Sequence, residues 1–139
     1  MVITARDIMT PNVECVGEAE TLFDAARRMR DLDVGVLPVC GSNDRLKGII
    51  TDRDIVIRCV ADGNDPGTTT ARSLCDGAPV TIGADDPVEE VLSTMGEYQV
   101  RRLPVIDGHR LVGIISEADI AHHVPDRDVA DTVQAVTEK

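Results

Sequence analysis

The sequence predicts a mixed α/β fold of the α+β kind, built from two β-α-β-β-α units that pack as a pseudo-twofold pair. The chief observation is an internal repeat. Residues 5–56 match residues 71–121 at an offset of 66 residues, which falls to 65 after one residue is lost in a turn. A repeat present only twice indicates units that complete each other, since solenoids usually need about three or more. One unit of about 60 residues would also be only marginally stable alone, because it would bury only about 60% of its unfolded surface.

Composition excludes several classes of function. The chain has 139 residues, which fits one domain, and 42% of them are hydrophobic. Its formal net charge of −11 opposes binding to phosphate backbones, so no nucleic-acid partner is expected. No apolar run is long enough to cross a membrane. The N-terminus lacks a secretory pattern, so the expected compartment is the cytoplasm, with export by a route without a signal peptide left open.

Each half opens with a short helical turn and a short strand, followed by an amphipathic helix. Thr4 and Thr70 are suited to cap the opening turns. The strands are expected near residues 13–16 and 79–82. Apolar residues spaced i, i+3, i+4, i+7 and i+10 then predict one buried helix face in each half. These residues are Leu22, Ala25, Ala26, Met29 and Leu32 in the first half, and Val88, Val91, Leu92, Met95 and Tyr98 in the second.

A hairpin and a final helix complete each half. The first hairpin is predicted over residues 34–50 and the second over residues 100–115. Asp107-Gly108 is a strong turn signal in the second hairpin. Helices are expected over residues 52–61 and 117–124.

These elements divide the chain into four parts. Residues 1–61 form the first motif, residues 62–69 a turn-rich linker, and residues 70–124 the second motif. Residues 125–139 form a tail, which is either a short docking helix or a solvated end.

The most strongly repeated segment carries a family resemblance. RLKGIITDRDIV matches RLVGIISEADIA at seven of twelve positions, and each copy follows a Leu-Pro-Val strand at residues 37–39 or 103–105. Together these motifs resemble a tandem pair of CBS domains, also called a Bateman module, over residues 4–124. The resemblance implies a cleft between the halves, where many members bind an adenine nucleotide or S-adenosyl compound. It also implies a homodimer formed through helical faces.

The repeated segment offers groups that suit a nucleotide. Thr51 and Ser116 lie where a strand becomes a helix, and free N–H groups at a helix N-terminus favour phosphate. Asp54 and Asp119, one turn later, could accept hydrogen bonds from ribose hydroxyls. The resemblance assigns ribose and phosphate contacts to these four residues. The alternative is helix capping, because [ST]-x-x-[DE] is also a capping signature; the two roles are compatible.

Candidate cations for the phosphate differ between the halves. Arg53 lies inside the first motif, where the second has Ala118. Arg101 and Arg102 precede the second Leu-Pro-Val, and the first copy has no cation there. Either only one site is occupied, or one phosphate draws on both halves. A solvated arginine pair that offsets an acidic surface is the alternative for Arg101 and Arg102.

Four cysteines are present, at positions 15, 40, 59 and 75, and none is spaced C-x-x-C as in a structural zinc site. In the CBS fold, the strands that carry Cys15 and Cys40 run side by side, so the resemblance implies a disulfide. The disulfide would close a loop of about 25 residues and would stabilise the folded state by roughly 3 kcal/mol. The alternative is a pair of buried free thiols, as is usual in a reducing cytosol. Cys59 and Cys75 are expected to be unpaired.

No motif indicates catalysis, so we expect no enzyme, no catalytic residue and no required cofactor. His109, His122 and His123 are interpreted as surface residues rather than metal ligands. Two functions remain. The first is a sensor module for AMP, ADP, ATP or an S-adenosyl compound, which signals to an unknown protein partner. The second is a homodimeric stress or interaction protein that binds no ligand and is stiffened by the Cys15–Cys40 disulfide.

Overall fold

The computed structural model describes residues 2–123, so the predicted tail at residues 125–139 lies outside the described residues. The chain divides into two compact units. The central unit consists of residues 14–79. The terminal unit combines the start of the chain, residues 2–13, with residues 80–123. The first segment therefore belongs with the second repeat.

The secondary structure follows the repeat. In chain order, the elements are α1 (Ala5–Ile8), β1 (Thr10–Pro11), β2 (Val16–Gly17), α2 (Leu22–Leu32), β3 (Val36–Cys40), a 3₁₀ turn (Ser42–Asp44), β4 (Leu46–Thr51), α3 (Asp52–Ile55), a π turn (Val56–Val60), a 3₁₀ turn (Ala71–Leu74), β5 (Ile82–Gly83), α4 (Val88–Tyr98), β6 (Arg102–Asp107), β7 (Arg110–Ser116) and α5 (Glu117–His123). The predicted mixed fold with two similar halves is confirmed.

Each unit has one sheet built around an antiparallel hairpin. The central unit has the order β2-β3-β4, and the terminal unit has the order β1-β7-β6-β5. The short strands β2 and β5 run parallel to β3 and β6, respectively. They begin later than the sequence indicated, because each pairs only with the last residues of its hairpin strand: Val16 with Val39, and Ile82 with Val105.

Each unit has its own aliphatic core, to which the amphipathic helix and the hairpin both contribute. The buried core residues of the central unit are Val16, Leu22, Ala25, Met29, Leu37, Val39, Ile50, Ile55, Cys59, Ala71 and Leu74. Those of the terminal unit are Ala5, Ile8, Ile82, Ala84, Val91, Met95, Leu103, Val105, Ile115 and Ile120. Five of the ten residues that the helical spacing predicted to be buried lie in these cores, and Ala26, Val88 and Leu92 are partly buried against them. Leu32 and Tyr98, at the ends of their helices, are exposed.

The two repeats exchange their opening segments. In the terminal unit, the Ala5 N–H donates to the carbonyl of Asp86 at 2.9 Å, and the Arg6 N–H donates to that of Ala84 at 2.9 Å. The equivalent bonds in the central unit run from Ala71 to Glu20 at 2.8 Å and from Arg72 to Glu18 at 3.1 Å.

Both bonds recur at the repeat offset, so the same junction is built twice. The side chains of the exchanged segments complete the host cores: Ala5 and Ile8 are buried in one unit, and Ala71 and Leu74 in the other.

Two glycines of the repeated segment let the exchanged segments approach the sheets. A Cβ atom placed at Gly48 would lie 2.6 Å from Cys75 Sγ, and one at Gly113 would lie 2.7 Å from the backbone oxygen of Thr10. Both separations are shorter than carbon contacts allow. Gly48 and Gly113 occupy equivalent positions in the repeat. Close packing therefore explains why both copies have glycine there.

A disulfide and an ion pair stabilise the central unit beside β2. Cys15 and Cys40 form a disulfide, with Cα atoms 5.9 Å apart. Arg28 makes a bidentate ion pair with Glu20, at 2.7 Å and 2.8 Å, and also donates to the carbonyl of Cys15 at 2.8 Å. The second repeat has Thr94 in place of Arg28. The hydrogen bond from Arg28 holds the pKa of the Glu20 carboxyl below its ordinary value of 4.5.

Replacing Gly113 should test the close approach directly. We expect Gly113→Ala to lower the free energy of unfolding by about 1–3 kcal/mol, because the added methyl group meets the Thr10 backbone, which cannot rotate away. Urea unfolding is the measurement. Gly67→Ala is the control, since a Cβ there meets only the Asp65 side chain, at 3.2 Å. Equal stability of the two variants would contradict this packing.

The Arg28–Glu20 pair should make stability depend on pH in acid. Because the folded pKa of Glu20 is lowered, its contribution is complete above about pH 4.5 and is lost as the pH falls through the folded pKa. Glu20→Gln should therefore flatten the acid part of a plot of melting temperature against pH between pH 6 and 3. Glu97→Gln, at an exposed position of α4, is the control and should leave the curve unchanged. Identical curves for wild type and Glu20→Gln would argue against the pair.

Candidate functional site

The first candidate site is the junction between β4 and α3 in the central unit. Thr51 ends the strand in extended conformation, and its hydroxyl oxygen accepts the N–H of Asp54 at 3.1 Å. The Asp54 carboxylate reaches back, and its Oδ2 accepts the N–H of Thr51 at 2.9 Å. The two predicted residues therefore lie together and form a reciprocal helix cap.

The equivalent junction in the terminal unit lies between β7 and α5. Asp119 Oδ2 accepts both the backbone N–H of Ser116, at 2.8 Å, and its hydroxyl, at 3.1 Å. The Ser116 hydroxyl oxygen in turn accepts the N–H of Asp119 at 3.3 Å. Asp119 Oδ1 accepts the hydroxyl of Thr10, at 3.4 Å. Ser116 and Asp119 thus also lie together, with Thr10 from the exchanged segment as a third member.

Hydroxyl–carboxylate pairs also occur at other helix starts in this chain. Thr21 and Asp24 cap α2 in the same reciprocal way, and at the start of α1 the Asp7 carboxylate accepts both the N–H and the hydroxyl of Thr4. Neither pair belongs to the repeated segment that suggested a ligand. An aspartate at the fourth position therefore does not by itself mark a binding site in this protein. The capping alternative holds at both junctions, and any ligand must use the hydrogen-bonding capacity that capping leaves unused.

The three candidate arginines are exposed. Arg53 lies in the first turn of α3, and Arg102 stands opposite Ser116 in the β6–β7 ladder, with Arg101 just before it. Within residues 2–123, none of these guanidinium groups has a carboxylate partner.

Several other arginines form ion pairs with carboxylates. Arg6 contacts Asp107 at 3.2 Å, Arg58 contacts Asp76 at 2.9 Å, and Arg72 contacts Glu18 at 3.1 Å. In a chain with 25 acidic and 14 basic residues, an unpaired arginine is a group available to an anion.

The terminal junction contains a polar atom that the sequence did not indicate. Oε1 of Glu117 is buried and has no hydrogen-bond partner in the part of the chain that the structure describes. An unsatisfied buried acceptor costs roughly 1–3 kcal/mol. The equivalent residue, Asp52, is exposed, and its carboxylate accepts the N–H of Arg53 at 2.8 Å.

Glu117 and Thr10 are the two members of the terminal junction that sequence reasoning missed. Thr10 lies 109 residues from Asp119, so only the folded chain shows their contact.

Residues 2–123 contain no group of three or more His, Cys, Asp or Glu side chains placed to hold a metal ion. His109, His122 and His123 are exposed, and His123 Nδ1 lies 2.9 Å from the backbone oxygen of Asp119. Over the same residues, the helices are too short or too polar to cross a bilayer.

Comparison with known proteins places these features in a family. The family model for the CBS domain matches twice, at residues 5–60 and 71–126. The chain is 53% identical to Hypoxic response protein 1 of Mycobacterium tuberculosis over 133 residues, which cover 96% of this chain and 93% of that protein.

Solved structures agree with the family match. The crystal structure of Hypoxic Response Protein I with two coordinated zinc ions has a TM-score of 0.82 and 55% identity, covering 88% of this chain and all of the other. The structure of CBSX2 in complex with AMP has a TM-score of 0.73 at 24% identity, covering 86% and 93% of the two chains, and shows a shared fold. The chain therefore belongs to the CBS-domain family, as a tandem pair of CBS domains.

Proposed function

We propose that this CBS pair is a non-enzymatic regulatory module that binds an adenosine-containing nucleotide. The observation that carries the proposal is the hydroxyl–carboxylate pair at the two strand–helix junctions, Thr51 with Asp54 and Ser116 with Asp119. The AMP complex of CBSX2, which has the same fold, supports it. AMP, ADP, ATP and S-adenosyl compounds are the candidate ligands.

Each member of the proposed site has a chemical role. The hydroxyl of Thr51 would donate to a phosphate oxygen, and the hydroxyl of Ser116 would do the same by exchanging its hydrogen bond to Asp119 for one to the ligand. The carboxylates of Asp54 and Asp119 would accept hydrogen bonds from the two ribose hydroxyls, which are donors. The exposed guanidinium groups, on Arg53, Arg101 and Arg102, would balance the phosphate charge.

Capping supports this assignment rather than opposing it. The reciprocal bonds between Thr51 and Asp54 fix both side chains in one rotamer before any ligand arrives. Side chains that are already ordered lose less entropy on binding, and this loss is about 0.5–1.5 kcal/mol for each flexible side chain. A cap can therefore serve as a preorganised half of a binding site.

The proposed output is a change in interaction rather than a chemical reaction. Signalling would pass to a protein partner or through a homodimer of this chain. Differential affinity of the nucleotide for two conformers would supply the coupling.

A thermal-shift titration tests the proposed function. AMP, ADP, ATP and S-adenosylmethionine are each added to wild-type protein, with CMP and inorganic phosphate as controls. A ligand at 100 times its Kd stabilises the native state by about 2.7 kcal/mol, so at least one adenosine compound should raise the melting temperature in a saturable way. No saturable shift with any of the four would contradict nucleotide binding.

A second function, that of a ligand-free homodimeric interaction protein, is favoured by one observation. The central unit is braced by the Cys15–Cys40 disulfide, which the second repeat lacks because Thr81 and Ile106 occupy the equivalent positions. A cross-link of this span stabilises by about 2–4 kcal/mol, as suits a protein that meets oxidising or stress conditions. The likeness to a hypoxic response protein agrees with such a role.

Thiol counting tests the disulfide. Burial raises the pKa of the Cys75 thiol, and Cys59 is buried, so both react slowly in the native state and the count must be made after unfolding. In guanidinium without reductant we expect two titratable thiols per chain, and four after reduction. Four thiols before reduction would exclude the disulfide in that preparation. Cys15→Ala/Cys40→Ala should lose stability, with Cys59→Ala as the single-thiol comparison.

A further inference from the structure

We infer that the Cys15–Cys40 disulfide is a thiol-exchange site at which an external thiol attacks Cys15, and that opening the bond loosens the exchanged segment of the central unit, residues 70–75. This redox role does not depend on nucleotide binding at the strand–helix junctions. It follows from how each unit holds its exchanged segment, from what the disulfide keeps in place and from which cysteine is exposed.

The two units hold their exchanged segments differently. In the terminal unit, the segment continues into β1, which pairs with β7. The equivalent residues of the central unit, Asp76 and Gly77, belong to no strand, and Gly77 has a left-handed φ of 63° that interrupts an extended backbone. Asp76 instead pairs with Arg58 at 2.9 Å, and Arg58 also donates to the carbonyl of Leu74 at 3.1 Å. The end of the central segment is therefore held by a side chain rather than by a strand.

The loop that carries β2, residues 14–20, supplies the acceptors for the start of the central segment. The Glu20 carbonyl accepts the N–H of Ala71 at 2.8 Å, and the Glu18 carbonyl accepts that of Arg72 at 3.1 Å. The Glu18 carboxylate also pairs with the Arg72 guanidinium at 3.1 Å. The N–H groups in the first turn of a helix have no acceptor within the helix. The position of this loop therefore decides whether the start of the segment is docked.

The disulfide fixes that loop to the sheet. The strand in the loop, β2, has two residues, and directly before it Cys15 is bonded to Cys40 of β3. The Glu18 N–H donates to the Cys40 carbonyl at 3.0 Å, so the loop meets β3 on both sides of β2. Arg28 attaches the Cys15 carbonyl to α2. Opening the disulfide removes the one covalent link in this set and leaves the loop with hydrogen bonds alone.

The repeat shows what the disulfide replaces. At the positions of the two cysteines, the second repeat has Thr81 and Ile106, which cannot be cross-linked. Its exchanged segment has the strand β1 and no disulfide nearby, whereas the central segment has the disulfide and no strand. The central unit has thus exchanged a permanent backbone contact for a bond that a thiol can open.

The two cysteines differ in access to a thiol. Cys40 is 5% exposed, whereas Cys15 is partly exposed at the start of the loop. A thiolate therefore attacks Cys15 Sγ, forms a mixed disulfide with it and expels Cys40 as a thiolate. A second thiolate attacks the external sulfur of the mixed disulfide and expels Cys15. The two external thiols lose two electrons and become a disulfide, and the two cysteines gain these electrons and, with two protons, become thiols.

Amide hydrogen exchange of the full chain, followed by NMR before and after treatment with dithiothreitol, tests the coupling. After reduction, the amides of Ala71 and Arg72 should exchange about tenfold faster or more, because their acceptors lie on the loop that the disulfide fixed. The equivalent amides of the terminal unit, Ala5 and Arg6, are internal controls whose exchange should change less than about threefold. Amides of α2 should also remain protected.

Cys15→Thr/Cys40→Ile is the matched variant, because it gives the central unit the residues of the second repeat at both positions. Dithiothreitol should leave its exchange rates unchanged. Acceleration in this variant would show that the reductant acts elsewhere and would overturn the coupling. If the variant does not fold, the comparison of Ala71 and Arg72 with Ala5 and Arg6 in the wild-type chain still decides the matter.

The two single variants test which cysteine is attacked. Cys40→Ile leaves Cys15 without its partner, and Cys15→Thr leaves Cys40 without its partner. Glutathione disulfide, added to each native protein, should modify Cys15 at least about tenfold faster than Cys40, because a thiol must be accessible to react. Mass spectrometry of peptides locates the mixed disulfide and separates it from any on Cys59 and Cys75, which both variants retain.

The contrary outcomes are distinct. A disulfide that dithiothreitol reduces only in unfolded protein would show that no thiol reaches it, and would overturn the exchange site. Equal modification of the two cysteines, or faster modification of Cys40, would overturn the assignment of the attacked sulfur. Unchanged exchange at residues 71 and 72, equal acceleration at residues 5 and 6, or acceleration throughout α2 would overturn the local loosening of the segment. None of these results bears on nucleotide binding, which the thermal-shift titration tests separately.

Discussion

The exchange of opening segments is the constraint on which the rest of the structure depends. Each unit needs four backbone residues and two buried side chains from the other repeat: Ala5 and Ile8 in one case, Ala71 and Leu74 in the other. Without them, each sheet would expose part of its core, and a repeat of about 60 residues has little burial to spare. Each half therefore depends on the other repeat to complete its core. The glycines at positions 48 and 113 are needed so that the exchanged segments can approach the sheets.

This constraint changes the interpretation of the repeated segment. Identity between the copies first suggested a shared ligand role, yet much of it has a structural cause. Gly48 and Gly113 admit the exchanged segment, and the Thr/Ser–Asp pairs cap the helices that follow. Related hydroxyl–carboxylate contacts at Thr4 and Thr21 show that this chemistry is also used at helix starts outside the repeated segment. The case for a ligand rests instead on what capping leaves unused, namely Asp54 Oδ1, the Thr51 proton and the unpaired arginines.

The sequence was a good guide wherever the information is local. Helical spacing located α2 and α4, Asp107-Gly108 located a hairpin turn, and the repeat implied two similar sheets. The Cys15–Cys40 pairing came from the family resemblance, and the structure contains it. The exchange was not predicted, because contacts between residues far apart in the chain, such as Ala5 with Asp86 and Ala71 with Glu20, leave no periodic pattern in the sequence. The helix predicted over residues 52–61 continues past Ile55 as a π turn, which apolar spacing alone does not distinguish from an α-helix.

The candidate site, like the fold, was predictable from the sequence only where the information is local. The sequence indicated which residue types form the candidate site, because hydroxyl, carboxylate and guanidinium groups occur together in one short motif. The sequence could not show which of these groups are free to bind a ligand. That depends on contacts such as the one between Thr10 and Asp119, which lie 109 residues apart in the chain. The central claim is that the capping segments of the two junctions, which are structural in both units, also supply the groups of the proposed nucleotide site.

The most direct test is a ¹H–¹⁵N NMR titration of the wild-type chain with AMP. The account predicts saturable shifts at the amides of residues 51–54, of residues 116–119, or of both. No perturbation at either junction would contradict it.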